Sequence, residues 1–156
     1  MPKLTYSSAK GLVQEKGSGD FNLSGEGVLF GQKDKVAAQD TAVTLTAASS
    51  GRTYTVSAAT AYDITLPSAA SGLWLKFVVG TAGANDVDLV QAAATEDFVG
   101  TVVNGSGGGD TFTGTDTKII FASSTAVAGD WVELTSNGTV WFVRGNCDAT
   151  GGIVGG

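Results

Sequence analysis

From residue 41 onward the chain is a succession of short runs in which apolar and polar residues alternate. A two-residue period places alternate side chains on one face of an extended strand, so this pattern confines the chain to β-structure. Val43 and Leu45 share a face in Thr41–Ala47, and Tyr54, Val56 and Ala58 share one in the next run. Tyr62, Ile64 and Leu66 follow, closed by Pro67 at a tolerated strand-end position. Leu73, Leu75, Phe77 and Val79 form one face of Leu73–Val79, and Trp74, Lys76 and Val78 the other. Further runs lie at 86–91, 96–103, 117–122, 130–136 and 139–144. Regularly spaced short strands with turn residues between them predict an all-β fold, either a β-sandwich or a jelly-roll-like barrel. Residues 68–71 and 91–94 are each long enough for one helical turn.

The most specific local pattern is the segment Asp130–Arg144, centred on Asn137-Gly138. Asn-Gly is the preferred pair for a two-residue type I′ turn, whose central positions both need φ > 0. That turn would set Ser136 opposite Thr139, Leu134 opposite Trp141 and Val132 opposite Val143. Val132, Leu134, Trp141 and Val143 then face the core. The reverse face carries Trp131 beside Arg144, in reach of a cation–π contact, and Glu133 opposite Phe142. A face with Trp74, Trp131 and Phe142 on it needs a cover, from the same chain, a second subunit or a ligand.

The first 40 residues differ from this body. Glycines punctuate them and apolar residues come in pairs, with no sustained period beyond a short strand at 26–31. Such a segment cannot build a core alone, and it reads as an extended N-terminal arm. Its apolar anchors are Leu4, Tyr6, Leu12, Val13, Leu29 and Phe30. The organisation expected is therefore an arm over 1–40, a β body over 41–146 and a Gly-rich tail over 147–156. The tail's glycines favour a frayed end, with Ile153 and Val154 available for docking.

Composition narrows the chemistry. Gly, Ala, Thr and Ser make up nearly half of the 156 residues, and there is no His. Without His there is no Ser-His-Asp or Cys-His pair and no HExxH zinc site. Cys147 is the one cysteine, so it has no intrachain disulfide partner and reads as a small apolar residue. The net charge is −6, distributed unevenly. Residues 1–35 hold five Lys against four acids, whereas residues 36–156 hold four cations against 11 acids. An acidic body argues against nucleic acid, whose affinity rests on phosphate neutralisation. The opening Met1–Tyr6 lacks the apolar core of a secretory signal, and no apolar run approaches the ~20 residues of a membrane helix. No membrane partner is expected.

Motifs with chemical potential are weak. Gly105–Thr113 is glycine-rich but has no P-loop lysine and stands alone as a near-match to a calcium repeat, so it reads as a flexible surface loop. Asp86 with Asp88, Glu96 with Asp97, and Asp110 with Asp116 are the closest acidic pairs. None is distinguished from an acidic, solvated surface. Asn22, Asn104 and Asn137 begin glycosylation sequons that read as chance matches in a chain this rich in Ser and Thr. No catalytic residue, cofactor or metal ligand is expected.

Four stretches together carry a resemblance. They are Val43–Val56 followed by Tyr62-Asp-Ile-Thr-Leu-Pro67, then Gly72–Gly80, then Ala128-Gly-Asp-Trp-Val-Glu-Leu-Thr-Ser-Asn-Gly-Thr-Val-Trp-Phe-Val143. Residues 41–145 are similar to the small β-structured virion proteins of tailed bacteriophages, above all the capsid decoration (cement) proteins. The opening Pro2-Lys-Leu-Thr-Tyr6 suits a decoration protein better than a fibre. The resemblance implies a non-enzymatic homotrimer on the outer surface of the virion capsid that clamps neighbouring major capsid protein subunits. The arm anchors would contact the capsid, and Trp74, Trp131 and Phe142 would form the subunit interface. Two other readings stay open: a phage fibre or tail module that binds a host receptor or glycan, and a depolymerase that uses a carboxylate pair.

Overall fold

The computed structural model describes residues 4–7, 11–14 and 35–156. The chain divides into two units, Met1–Lys33 and Asp34–Gly156. In the first, β1 (Leu4–Ser7) pairs antiparallel with β2 (Gly11–Gln14), with Tyr6 opposite Leu12 and Thr5 opposite Val13. The strand expected at 26–31, with its anchors Leu29 and Phe30, lies outside the described residues.

The second unit is a β-sandwich of two open sheets. The larger has seven strands, in the order β10-β9-β13-β12-β7-β5-β3. Their ranges are β3 Lys35–Gln39, β5 Arg52–Ser57, β7 Ser71–Thr81, β9 Phe98–Asn104, β10 Gly109–Thr113, β12 Trp131–Asn137 and β13 Trp141–Cys147. The smaller has five, in the order β14-β11-β8-β6-β4. These are β4 Val43–Thr44, β6 Tyr62–Thr65, β8 Val87–Val90, β11 Lys118–Phe121 and β14 Ile153–Gly155. A single 3₁₀ turn, Ala47–Ser49, follows β4. Neither residues 68–71 nor 91–94, each long enough for one helical turn, form one.

The first half of this unit winds between the sheets. Strands β3, β5 and β7 lie parallel in the large sheet, and β4, β6 and β8 lie parallel in the small one. A parallel neighbour requires a crossover of a dozen or more residues, and here each crossover contributes a strand to the opposite sheet. One-sided burial gives parallel and antiparallel strands the same alternation, so the sequence pattern identified the strands without revealing the winding. The second half closes by hairpins: β9–β10, and β12–β13 inserted between β9 and β7.

Between the sheets lies a continuous apolar core. Leu75, Phe77, Val132, Leu134 and Trp141 from the large sheet meet Ile64, Leu89, Ile119 and Phe121 from the small one. Tyr54 stacks on Phe77 with ring centroids 5.4 Å apart. Tyr62 ties the layers together at one end: its hydroxyl donates to the Gln39 carbonyl at 2.5 Å and accepts from the Ser57 N–H at 3.2 Å.

Four expectations change. The β12–β13 pairing sets Ser136 opposite Trp141, Leu134 opposite Val143 and Glu133 opposite Arg144, two residues away from the type I′ register. The connection is a longer loop in which Asn137 Oδ1 accepts from the Thr139 and Val140 N–H groups at 2.9 and 3.0 Å. Gly138 takes φ +102°, whereas Asn137 is not in the positive-φ region that a type I′ turn would require. A slip of two preserves every side chain's face, so the predicted core set survives. Second, Lys35–Gln39, assigned to the arm, is the edge strand of the large sheet; its small Ala37 and Ala38 gave little periodic signal. Third, the tail docks: Ile153 is buried and Ile153–Gly155 pairs with Phe121–Ile119. Fourth, within the stretch from 105 to 113 a tight turn leads directly into β10. Asn104 Oδ1 accepts from the Ser106 and Gly108 N–H groups, and its Nδ2 donates to Thr150. That buried amide is committed to structure, which disfavours Asn104 as a glycosylation acceptor.

Candidate functional site

The large sheet buries one face against the small sheet and leaves the other outward. Cross-strand register defines that outward face row by row. One row runs Val36, Thr53, Lys76, Glu133, Arg144, Thr101 and Thr111. A second runs Ala38, Thr55, Val78, Trp131, Asn146 and Val103. A third runs Trp74, Thr135, Phe142, Val99 and Thr113. Six large apolar side chains are exposed among the described residues, and five of them lie here: Val36, Trp74, Val99, Val103 and Phe142. Val36 is 60% exposed and Phe142 45%. These apolar side chains thus share one face of the large sheet rather than being divided between its two sides.

Local contacts hold the aromatic groups. The Trp74 N–H donates to Ser50 Oγ at 3.0 Å and its carbonyl accepts from the Gly51 N–H at 2.9 Å, fixing the strand against the turn after the 3₁₀ segment. Lys76 Nζ lies 4.8 Å from the ring centroid of half-buried Trp131. This replaces the Trp131–Arg144 contact expected from the type I′ register. Arg144 instead faces Glu133, with Nη2 2.6 Å from Oε1. Phe142 stands opposite Thr135 rather than Glu133. The central row is thus alternately positive, negative and positive, with aromatic groups on both sides of it. Strands lie ~4.8 Å apart, which puts Trp74 and Phe142, two strands removed, about 10 Å from each other.

The three residues expected at a subunit interface, Trp74, Trp131 and Phe142, therefore share one face. The arm anchors Leu4 and Tyr6 lie in β1 and Leu12 and Val13 in β2. Sequence reasoning missed Val36, Val99 and Val103. A signal existed for the last two, because Phe98-Val99 and Val102-Val103 are apolar at adjacent positions, as in strands covered on both faces.

The opposite, outward face of the small sheet is different in kind. Asp63 and Asp88 are neighbours across β6 and β8, and Lys118 Nζ lies 2.6 Å from Asp88 Oδ2. The hydrogen bond to Asp88 holds the Lys118 ammonium above its usual range, aided by Asp63 and Asp86. The paired carboxylates are used separately. Asp86 accepts from the Ser123 N–H, Glu96 from the Ala69 N–H, and Asp110 from the Gly155 and Thr111 N–H groups. Among the described residues no group of three or more Cys, Asp or Glu could hold a metal ion. Cys147 is buried, donates to the Ala149 carbonyl, and has its thiol pushed up by burial.

No family description, curated protein or solved structure matches the chain.

Proposed function

We propose that this chain is a structural protein of a tailed-phage virion. It binds the outside of the capsid as a homotrimer and holds neighbouring major capsid protein subunits together. The observation that supports this reading best is the large sheet's outward face, where Trp74, Phe142, Val36, Val99 and Val103 await a cover. Tryptophan and arginine dominate the energetic centres of protein interfaces, and Trp74, Trp131 and Arg144 lie together on this one. The resemblance of residues 41–145 to decoration proteins supplies the kind of partner. The action is mass action. A protein that binds only the assembled shell stabilises it by about 2.7 kcal/mol per site at a hundredfold excess over Kd.

The test is binding of the purified protein to expanded phage shells that lack it, alongside immobilised host glycans. Saturable binding to shells supports the reading. Exposed positions allow Trp74→Ser with Phe142→Ser to leave the fold intact, and this double variant is expected to bind shells more than tenfold more weakly. Glycan binding without shell binding would overturn the reading in favour of a fibre module.

A further inference from the structure

Two asparagines of the chain precede a glycine, in Asn104-Gly105 and Asn137-Gly138. In such a pair the backbone nitrogen after the asparagine is poorly shielded, because glycine has no Cβ. That nitrogen can attack Cγ of the asparagine side chain, closing a cyclic imide. The fold treats the two pairs oppositely.

Asn104 is 6% exposed, and both ends of its amide are held. Oδ1 accepts from the Ser106 and Gly108 N–H groups at 3.1 and 3.0 Å, and Nδ2 donates to Thr150 Oγ1 at 3.2 Å. The Gly105 N–H, which would have to attack, donates to the Cys147 and Asp148 carbonyls at 3.0 and 3.1 Å. Ring closure there would undo the end of the β9–β13 pairing.

Asn137 is exposed, and among the described residues its Nδ2 has no hydrogen-bond partner. Its Oδ1 accepts from the Thr139 and Val140 N–H groups at 2.9 and 3.0 Å. A side chain that reaches the amides two and three residues ahead is folded forward over the Asn137–Gly138 peptide, which turns Cγ toward the Gly138 nitrogen. The same two N–H groups point at the oxygen on which charge develops as that nitrogen adds, and donors aimed there favour the addition. The Gly138 N–H donates to Ser136 Oγ at 3.1 Å rather than to a ladder carbonyl, so its attack breaks no strand pairing.

We propose that Asn137 is a self-modification site, converted without enzyme or cofactor to aspartate and isoaspartate, while Asn104 stays an amide. The Gly138 nitrogen gives its proton to solvent and bonds to Cγ. The Cγ–Nδ2 bond then breaks, and Nδ2 leaves as ammonia. Water opens the imide: addition at Cγ leaves aspartate, and addition at the Asn137 backbone carbonyl leaves isoaspartate, with the main chain rerouted through Cβ and Cγ. Each conversion consumes one water, releases one ammonia and adds a negative charge where Asn137 faces Ser71 at the start of β7. This inference stands apart from the capsid reading.

The test follows both Asn-Gly peptides by mass spectrometry while the full chain ages in mildly alkaline buffer, folded or in guanidinium. Unfolded, both sites are expected to convert at similar rates. A nucleophile held out of line with its target reacts ~10²-fold more slowly, so folding is expected to slow Asn104 by more than about tenfold and Asn137 by less. Asn137 slowed as much as Asn104, or Asn104 converting as fast as Asn137 in the folded chain, would overturn the proposal. The Asn137→Asp variant supplies the aspartyl peptide for comparison. A second product peptide of equal mass, separating from it, is expected from the imide; aspartate alone would overturn the ring closure.

Discussion

At the residue scale, one buried carboxylate organises more of the structure than any surface acid. Asp130 is 3% exposed; Oδ2 accepts from the Val127 N–H and Oδ1 from the Asp148 N–H, both at 2.9 Å. It thereby joins the loop before β12 to the turn after β13. Asp130→Ala leaves both donors unpaired and is expected to cost about 3 kcal/mol, read from the urea midpoint. Protonation argues on the same scale. Burial pushes up the Cys147 thiol and the Tyr62 hydroxyl, and Asp88 holds up the Lys118 ammonium. Each group keeps its proton to higher pH when folded than when unfolded. Its stabilisation is therefore complete below the unfolded value and is lost as pH rises through the folded one. Stability is expected to fall from about pH 8.5 upward, where the unfolded thiol begins to ionise, and further above about pH 10. With no His, it is expected to stay level between about pH 6 and 8. Urea midpoints across that range check both statements, and a fall centred near neutrality would contradict them.

At the scale of elements, sequence pattern determined faces better than partners. Alternation placed Leu75, Phe77, Val132, Leu134, Trp141 and Val143 in the core, where they are. It also put Trp74, Trp131 and Phe142 together on the reverse face. The same alternation carried no information about parallel winding, because a strand with one wet face has a two-residue period in either ladder. Loop length was the other blind spot. Asn137-Gly138 suits a type I′ turn, yet the Asn137 side chain bonds two loop N–H groups and lengthens the connection. Asn137→Gly separates these geometries: a type I′ turn accepts Gly at both positions, whereas the observed loop is expected to lose about 1 kcal/mol with its side-chain acceptor. Thermal denaturation measures the difference. Gly100 is a further position whose need was hidden in the sequence. It lies in β9 at φ +150°, and a Cβ there would stand 1.9 Å from the Val143 carbonyl oxygen. Gly100→Ala is expected to destabilise by more than about 3 kcal/mol, since the obstacle is backbone.

At the scale of the whole molecule, the sandwich has two unlike faces. The large sheet's outward face carries Lys76 and Arg144 against Glu133, amid aromatic and β-branched side chains. The small sheet's carries Asp63 and Asp88 with Lys118. Lys76 and Arg144, two of the four cations of residues 36–156, lie on that aromatic face, which suits the contact proposed for it. The N-terminal segment is expected to add to attachment: removing residues 1–20 should leave the urea midpoint of the sandwich unchanged and weaken binding to shells. Equal decoration by the truncated protein would remove the arm from the account. The most direct test of the central claim is an image of native particles compared with particles lacking the protein. The account predicts three-chain density on the outer capsid surface, with the Trp74–Phe142 face buried against a neighbouring subunit. Density confined to the tail or fibres, or a Trp74–Phe142 face left in solvent, would contradict it.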